Sequence, residues 1–228
     1  NVSEEAVEAF EQQAALRPGR MVSIHNGIDI DHFSFDAQAR NSVRAELGVG
    51  IKTPLLLAVG RLWEQKDYPT LLYAFSRLSN GRDRPYLAIV GDGPLLAALQ
   101  HLGDTLGLTD QVRFLGIRRD VASLMSACDL FVLSSAWEGF GLVVAEAMAC
   151  ERPVVATDCG GVREVVGDAG FLVPPKDTDA LAQAMQKGLE LNGEERHRLG
   201  AKARERVVSR YSLDVMAERY LSVYKGVH

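Results

Sequence analysis

Apolar positions along this chain alternate between two periods. Short unbroken apolar runs, LLLAV at 55–59, YLAIV at 86–90, LFVL at 130–133 and PVVA at 153–156, suit parallel strands covered by helices on both faces. Longer stretches of helical period lie between them, bounded by Gly, Pro, Asp or Asn. The pattern predicts strands at 21–25, 54–59, 86–90, 112–115, 129–133, 153–157 and 170–173. It predicts helices at 37–47, 68–79, 94–106, 120–127, 141–150, 162–166 and 177–190, then an amphipathic helical stretch over 193–225 that breaks near Tyr211-Ser212. A leading helix capped by Ser3, with Glu4 and Glu5 at the positive end of its dipole, would run to about Leu16 and stop at Pro18-Gly19. Strand–helix alternation of this kind predicts a doubly wound parallel α/β sheet, Rossmann-like, whose ligands sit outside the carboxyl ends of the strands.

Composition narrows the class without naming a chemistry. The chain has 228 residues, 25 Lys or Arg against 30 Asp or Glu, a formal charge of −5 and 47% hydrophobic residues, values ordinary for a globular chain of one or two domains. The mild acidity argues against a general nucleic-acid groove, which needs a cationic face. No apolar run approaches the roughly 18 residues of a membrane helix. Cys128, Cys150 and Cys159 lack CxxC spacing and suit buried thiols in a reducing compartment.

Candidate chemistry gathers in the turns that follow strands. In VGRLWEQKDYP, Gly60 ends a strand, and Arg61 and Lys66 lie five residues apart, so both cations could converge on one anion or simply be solvated. In AWEGFGLVVAEAMAC, Gly139, Phe140 and Gly141 lead into a helix opening at Leu142; free amides there, with the helix dipole, suit a phosphate or diphosphate. Glu146 lies among apolar neighbours in that helix. A desolvated carboxylate needs hydrogen-bond donors, either ligand hydroxyls such as those of a ribose or a buried Arg. Glu138, eight residues earlier, could face the same ligand or be a solvated loop acid. In VGDGPL, Gly91 and Gly93 are followed by Leu96 where a dinucleotide fingerprint needs its third glycine, so that fingerprint is incomplete. Gly160-Gly161 could open a crevice or make a tight turn. Asp29-Ile30-Asp31 matches a metal-holding DxD pattern, yet it follows Asn26-Gly27, a strong turn signal, and we read it as a turn.

The segments HNGIDIDHF, GRLWEQKDYPTLLYAF, VGDGP, VRFLG and EGFGLVVAE together resemble the C-terminal, donor-binding half of GT-B retaining glycosyltransferases of the group 1 (GT4-like) family. That group includes bacterial lipopolysaccharide and capsule enzymes, sucrose synthases and glycogen synthases. The likeness runs from about Val22 to the C-terminus, and its most specific element is the E-x7-E pair Glu138 and Glu146.

The resemblance implies a hexosyltransferase half-site without a metal or cofactor. Arg61, Lys66 and Glu138 would be the catalytic groups. The cations would neutralise the diphosphate of a UDP-, GDP- or ADP-linked sugar and stabilise the departing oxygen; Glu138 would hold sugar hydroxyls. Gly60, Gly139, Phe140, Gly141 and Leu142 would line the donor, Glu146 would hold the ribose, and Gly116, Ile117 and Arg118 would pack near the base. Residues 1–20 would be an interdomain helix or linker from a missing N-terminal domain, 21–210 the nucleotide-sugar-binding domain, and 211–228 a C-terminal helix returning toward the missing domain. That absent partner would supply the acceptor site, and peripheral attachment of the full-length enzyme to the inner face of a membrane would come from it. A cytoplasmic location, no nucleic-acid partner, and a chain that alone binds nucleotide weakly and turns over little complete the expectation. Two alternatives are a GT-B sugar-nucleotide epimerase and a noncatalytic nucleotide-binding module.

Overall fold

The structure is a computed structural model that describes residues 3–14, 21–78 and 84–226. Its elements in chain order are α1 (Glu4–Gln13), α2 (Ala37–Leu47), β1 (Leu55–Val59), a 3-10 turn (Glu64–Lys66), α3 (Tyr68–Leu78), β2 (Tyr86–Val90), α4 (Leu96–Thr105), β3 (Val112–Phe114) and α5 (Val121–Ala127). They continue with β4 (Leu130–Leu133), α6 (Leu142–Ala149), β5 (Val154–Thr157), α7 (Val162–Val166), β6 (Phe171–Val173), α8 (Thr178–Glu190), α9 (Gly193–Tyr211) and α10 (Leu213–Tyr224). The expected helix ends at Leu16 and Ser79, the Pro18-Gly19 stop and residues 227–228 lie outside the described residues.

The strands form one parallel sheet in the order β3-β2-β1-β4-β5-β6, the doubly wound arrangement in which the strand order reverses between β1 and β4. Each central strand is apolar on both faces because each face has its own core. Leu55, Leu57, Phe131, Leu133, Val154 and Ala156 point to the core under α2, α5, α6, α7 and α9, whereas Leu56, Ala58, Leu130, Val132 and Val155 point to the core under α3, α4 and α8. That alternation is the two-residue period of a strand read twice.

One expected strand is absent. Residues 21–25 form no ladder, and the segment instead runs on to Ile28, which bridges Ser212. Ile28 N donates to Tyr211 O at 2.7 Å and Leu213 N donates to Ile28 O at 3.1 Å. Within 21–28 only His25 and Ile28 are buried, too few inward positions to make a strand face, and the backbone partner of Ile28 is the break between α9 and α10. Asp29 caps its own turn, its Oδ1 accepting from His32 N at 2.9 Å and Asp31 N at 3.2 Å, an Asx turn of the kind the Asn-Gly signal announced. Among the described residues no helix is long and apolar enough to cross a membrane.

Candidate functional site

Beyond the sheet the strand ends stay knitted together. Gly60 N donates to Val90 O at 2.9 Å and Leu62 N to Asp92 O at 3.0 Å, while Ala136 N donates to Gln65 O at 2.8 Å. Glycines permit this closeness. A Cβ at Gly91, whose φ is +137°, would land on the Gly60 carbonyl, and one at Gly160, φ +52°, on the Glu138 carbonyl. The Gly160-Gly161 pair is therefore where the loop after β5 packs against the backbone of the loop after β4.

Above β1 and β4, where the strand order reverses, these loops enclose a cavity of about 1200 Å³. Gly60, Arg61, Lys66, Glu138, Gly139, Phe140, Gly141 and Leu142 all line it, so eight of the residues singled out from the sequence converge on one space. Gly141, at φ +85°, is the N-cap of α6 and makes no side-chain cap. The first amides of α6 thus open on the cavity wall with the positive end of the helix dipole behind them.

The charged groups divide by burial. Arg61 is exposed, with its guanidinium 5.9 Å from the centre of the Trp63 ring. Lys66 Nζ lies 2.5 Å from Glu138 Oε1, both side chains being largely buried, and the same oxygen accepts from Ser135 Oγ at 2.6 Å. Ser134 Oγ donates to Lys66 O at 2.7 Å. Beneath them, Tyr68 OH donates to Gly60 O at 3.0 Å. Burial, and then the Glu138 charge, pushes this phenol well above its ordinary range.

Four predicted residues lie outside the cavity lining. Glu146 sits one turn deeper in α6, half-buried; desolvation raises its carboxyl above the usual value and His32 pulls it partly back. Among the described residues the structure gives the Glu146 carboxylate no hydrogen-bond or ion-pair partner, and the buried Arg pair that was one expectation is not formed. Gly116 and Ile117 stand at the neighbouring end of β3, where Gly116 O accepts from Gly91 N at 2.8 Å and Ile117 is 78% exposed. The Arg118 guanidinium is committed to Glu46 Oε1 and Asp120 Oδ2, each at 2.6 Å.

Sequence reasoning missed Trp63, Trp137, Asn26, Pro94 and Leu95, which also line the cavity. Both tryptophans are more than half exposed, and large aromatics in strand-end turns were a signal available in the sequence. The three cysteines are free and buried; burial pushes the Cys128 and Cys150 thiols up to about 12.

Sheet order and an anion-suited cavity at the crossover define a Rossmann-like, doubly wound module. Residues 39–206 match the family described as Glycosyl transferases group 1, and the chain belongs to that family. It is 34% identical over 202 residues to N-acetyl-alpha-D-glucosaminyl L-malate synthase of Bacillus anthracis, covering 87% of this chain and 52% of the relative. It is likewise 34% identical over 227 residues to alpha-maltose-1-phosphate synthase of Mycolicibacterium smegmatis, covering 93% of this chain and 58% of the relative. The crystal structure of Anabaena HepE in complex with UDP-glucose superposes with a TM-score of 0.88 at 28% identity, over 99% of this chain and 63% of that one. The chain thus spans about half the length of the curated relatives it matches.

Proposed function

We propose that this chain is the donor-binding half of a retaining hexosyltransferase that takes a nucleotide-diphosphate sugar. One observation carries the reading: Arg61, Lys66, Glu138 and the amide-bearing start of α6 face a single cavity at the reversal of strand order, where doubly wound sheets bind ligands. The UDP-glucose found in the HepE structure is a ligand of the matching chemistry. Arg61 and the α6 amides would hold the diphosphate. Lys66, now shared between Glu138 and the cavity, would turn toward the bridging oxygen as the sugar–phosphate bond breaks, stabilising the charge that grows there. Protein cations and amides supply the positive charge this step needs, so we propose transfer without a metal. Glu138 would accept from sugar hydroxyls, and the unpartnered Glu146 from the ribose hydroxyls. We assign the acceptor site to a partner domain, with retention at the anomeric carbon, and from the buried free thiols a reducing, cytoplasmic setting.

The test is calorimetric titration of the 228-residue chain with UDP, GDP and ADP and their glucose conjugates. One nucleotide series should bind, and both Arg61→Ala and Glu146→Ala should weaken it about tenfold, the loss of one charge-assisted contact. No binding by any of the three series, or variants that change melting temperature alone, would replace this reading with a noncatalytic scaffold.

A further inference from the structure

Behind the glycine turn lies a histidine that the reading above leaves unused. His25, 7% exposed, packs with its ring centre 5.7 Å from that of Phe140 and 5.3 Å from that of Tyr211, and Phe140 and Tyr211 close the triangle at 5.4 Å. Phe140 is the middle residue of the turn Gly139–Gly141, buried itself and yet among the residues that line the cavity.

Both nitrogens of His25 are engaged. Arg219 Nη1 lies 2.7 Å from Nδ1, and a guanidinium can only donate, so Nδ1 presents its lone pair. Nε2 then carries the proton and donates it to Glu164 Oε2 at 3.0 Å. One tautomer satisfies both contacts, and a ring flip breaks both. Glu164 in turn belongs to α7, and its carbonyl oxygen accepts from Tyr211 OH at 2.6 Å and from Arg206 Nη2 at 2.7 Å. The Phe140 ring is therefore seated by His25, from the segment before α2, and by Tyr211, at the end of α9, and Glu164 of α7 holds both of these in place. Each of these is remote from it in sequence or lies in another element.

We propose that His25 is a positioning residue for the donor. Acting through Phe140, it keeps the amides of residues 139–142 aimed at the diphosphate. Without the imidazole, the Phe140 ring can sink into the vacated space and draw the flanking glycine amides off their aim. The inference rests on the donor-binding reading above and adds to it a residue that touches no substrate. Supporting shells of this kind set ligand affinity by orienting the groups that make contact.

The 228-residue chain and its variants His25→Ala, His25→Gln and Arg219→Ala are titrated with UDP, GDP and ADP well below each melting midpoint, and nitrogen–proton NMR spectra of the nucleotide-free forms are recorded at Gly139, Phe140 and Gly141. His25→Ala should raise the Kd of the preferred nucleotide about tenfold and shift the three amide signals before any nucleotide is added. His25→Gln, whose amide can still donate to Glu164, should recover most of the affinity. A melting temperature that falls while Kd and the amide signals stay in place overturns the proposal and leaves His25 as core packing. Should His25→Ala not fold, Arg219→Ala decides: higher Kd supports positioning, and unchanged Kd overturns it. If the unaltered chain binds none of the three nucleotides, the donor-binding reading itself falls. If it binds and His25→Ala binds equally well, only the positioning role falls.

Discussion

Arg61 and Lys66 reach the same cavity from different surroundings, and this separates their effects on binding and on stability. Arg61 is exposed and leans on Trp63, so Arg61→Ala should change unfolding free energy by no more than about 0.5 kcal/mol while nucleotide affinity falls. Lys66 neutralises Glu138 inside the protein; Lys66→Ala leaves that carboxylate desolvated with Ser135 as its remaining donor and should cost about 3 kcal/mol. Combining Lys66→Met with Glu138→Gln should return most of that loss in urea unfolding, since neither charge is then stranded, but should not return nucleotide binding. Glu146 adds a pH dependence. Burial raises its carboxyl above 4.5, so the native state binds this proton more readily than the unfolded chain does. Stability from this group is therefore highest in acid, declines as pH rises through the native pKa, and stays reduced at neutral pH. Glu146→Gln should raise the melting temperature at pH 7 by about 2–4 °C, corresponding to about 1 kcal/mol for a chain of this size. In calorimetric scans the gain should shrink toward zero as pH is brought to 4.

At the scale of elements, β1, β2, β4 and β5 were legible because each is buried on both faces, which leaves an unbroken apolar run bounded by turn residues, whereas the partly buried edge strands β3 and β6 were legible from the alternation of strand and helix periods around them. The site was legible to the same degree. Gly60 and Arg61 follow β1 directly, and Lys66 and the glycine turn before α6 lie in the strand-to-helix connections after β1 and β4, the end of the sheet where this architecture binds ligands. What stayed hidden depends on pairs distant in the chain. The run at 21–25 looks like a strand by composition, yet it forms no ladder, and the pairing of this segment falls at Ile28, against Tyr211 to Leu213. His25 gains its meaning only from Glu164 and Arg219, and the pairing of Arg118 with Glu46, 72 residues away, is likewise invisible in the sequence. Gly160-Gly161 could be read two ways until the Glu138 carbonyl was found against Gly160. That contact makes a sharp prediction. Gly160→Ala forces a side chain onto backbone at φ +52° and should cost about 3 kcal/mol or more while weakening nucleotide binding. Gly48→Ala, at φ +68° with open space around it, should cost only about 1 kcal/mol and leave binding unchanged. Urea unfolding and calorimetric titration of the two variants check both halves.

Considered whole, the molecule keeps its charged chemistry at one end of the sheet and its charged staple at the other. Asp129, 6% exposed at the entry to β4, pairs with Arg40 at 2.6 Å, Arg44 at 3.2 Å and Arg196 at 3.3 Å. Its Oδ2 also accepts from Leu55 N at the start of β1 at 2.8 Å. One carboxylate thus ties α2 and α9 to the two central strands, and the guanidinium of Arg44, at 2% exposure, has Asp129 as its counter-charge. Removing that charge strands buried cations, a change typically worth about 3–5 kcal/mol. Asp129 lies at the amino ends of the strands whose carboxyl ends open on the cavity, so the two regions share the sheet but no side-chain contact. Asp129→Asn should therefore lower the unfolding free energy by about 3 kcal/mol, yet at a temperature where the variant remains folded its nucleotide Kd should equal that of the parent chain. An altered Kd in the folded variant would mean that the sheet transmits strain from one end to the other, and the separation of staple from site would have to be abandoned.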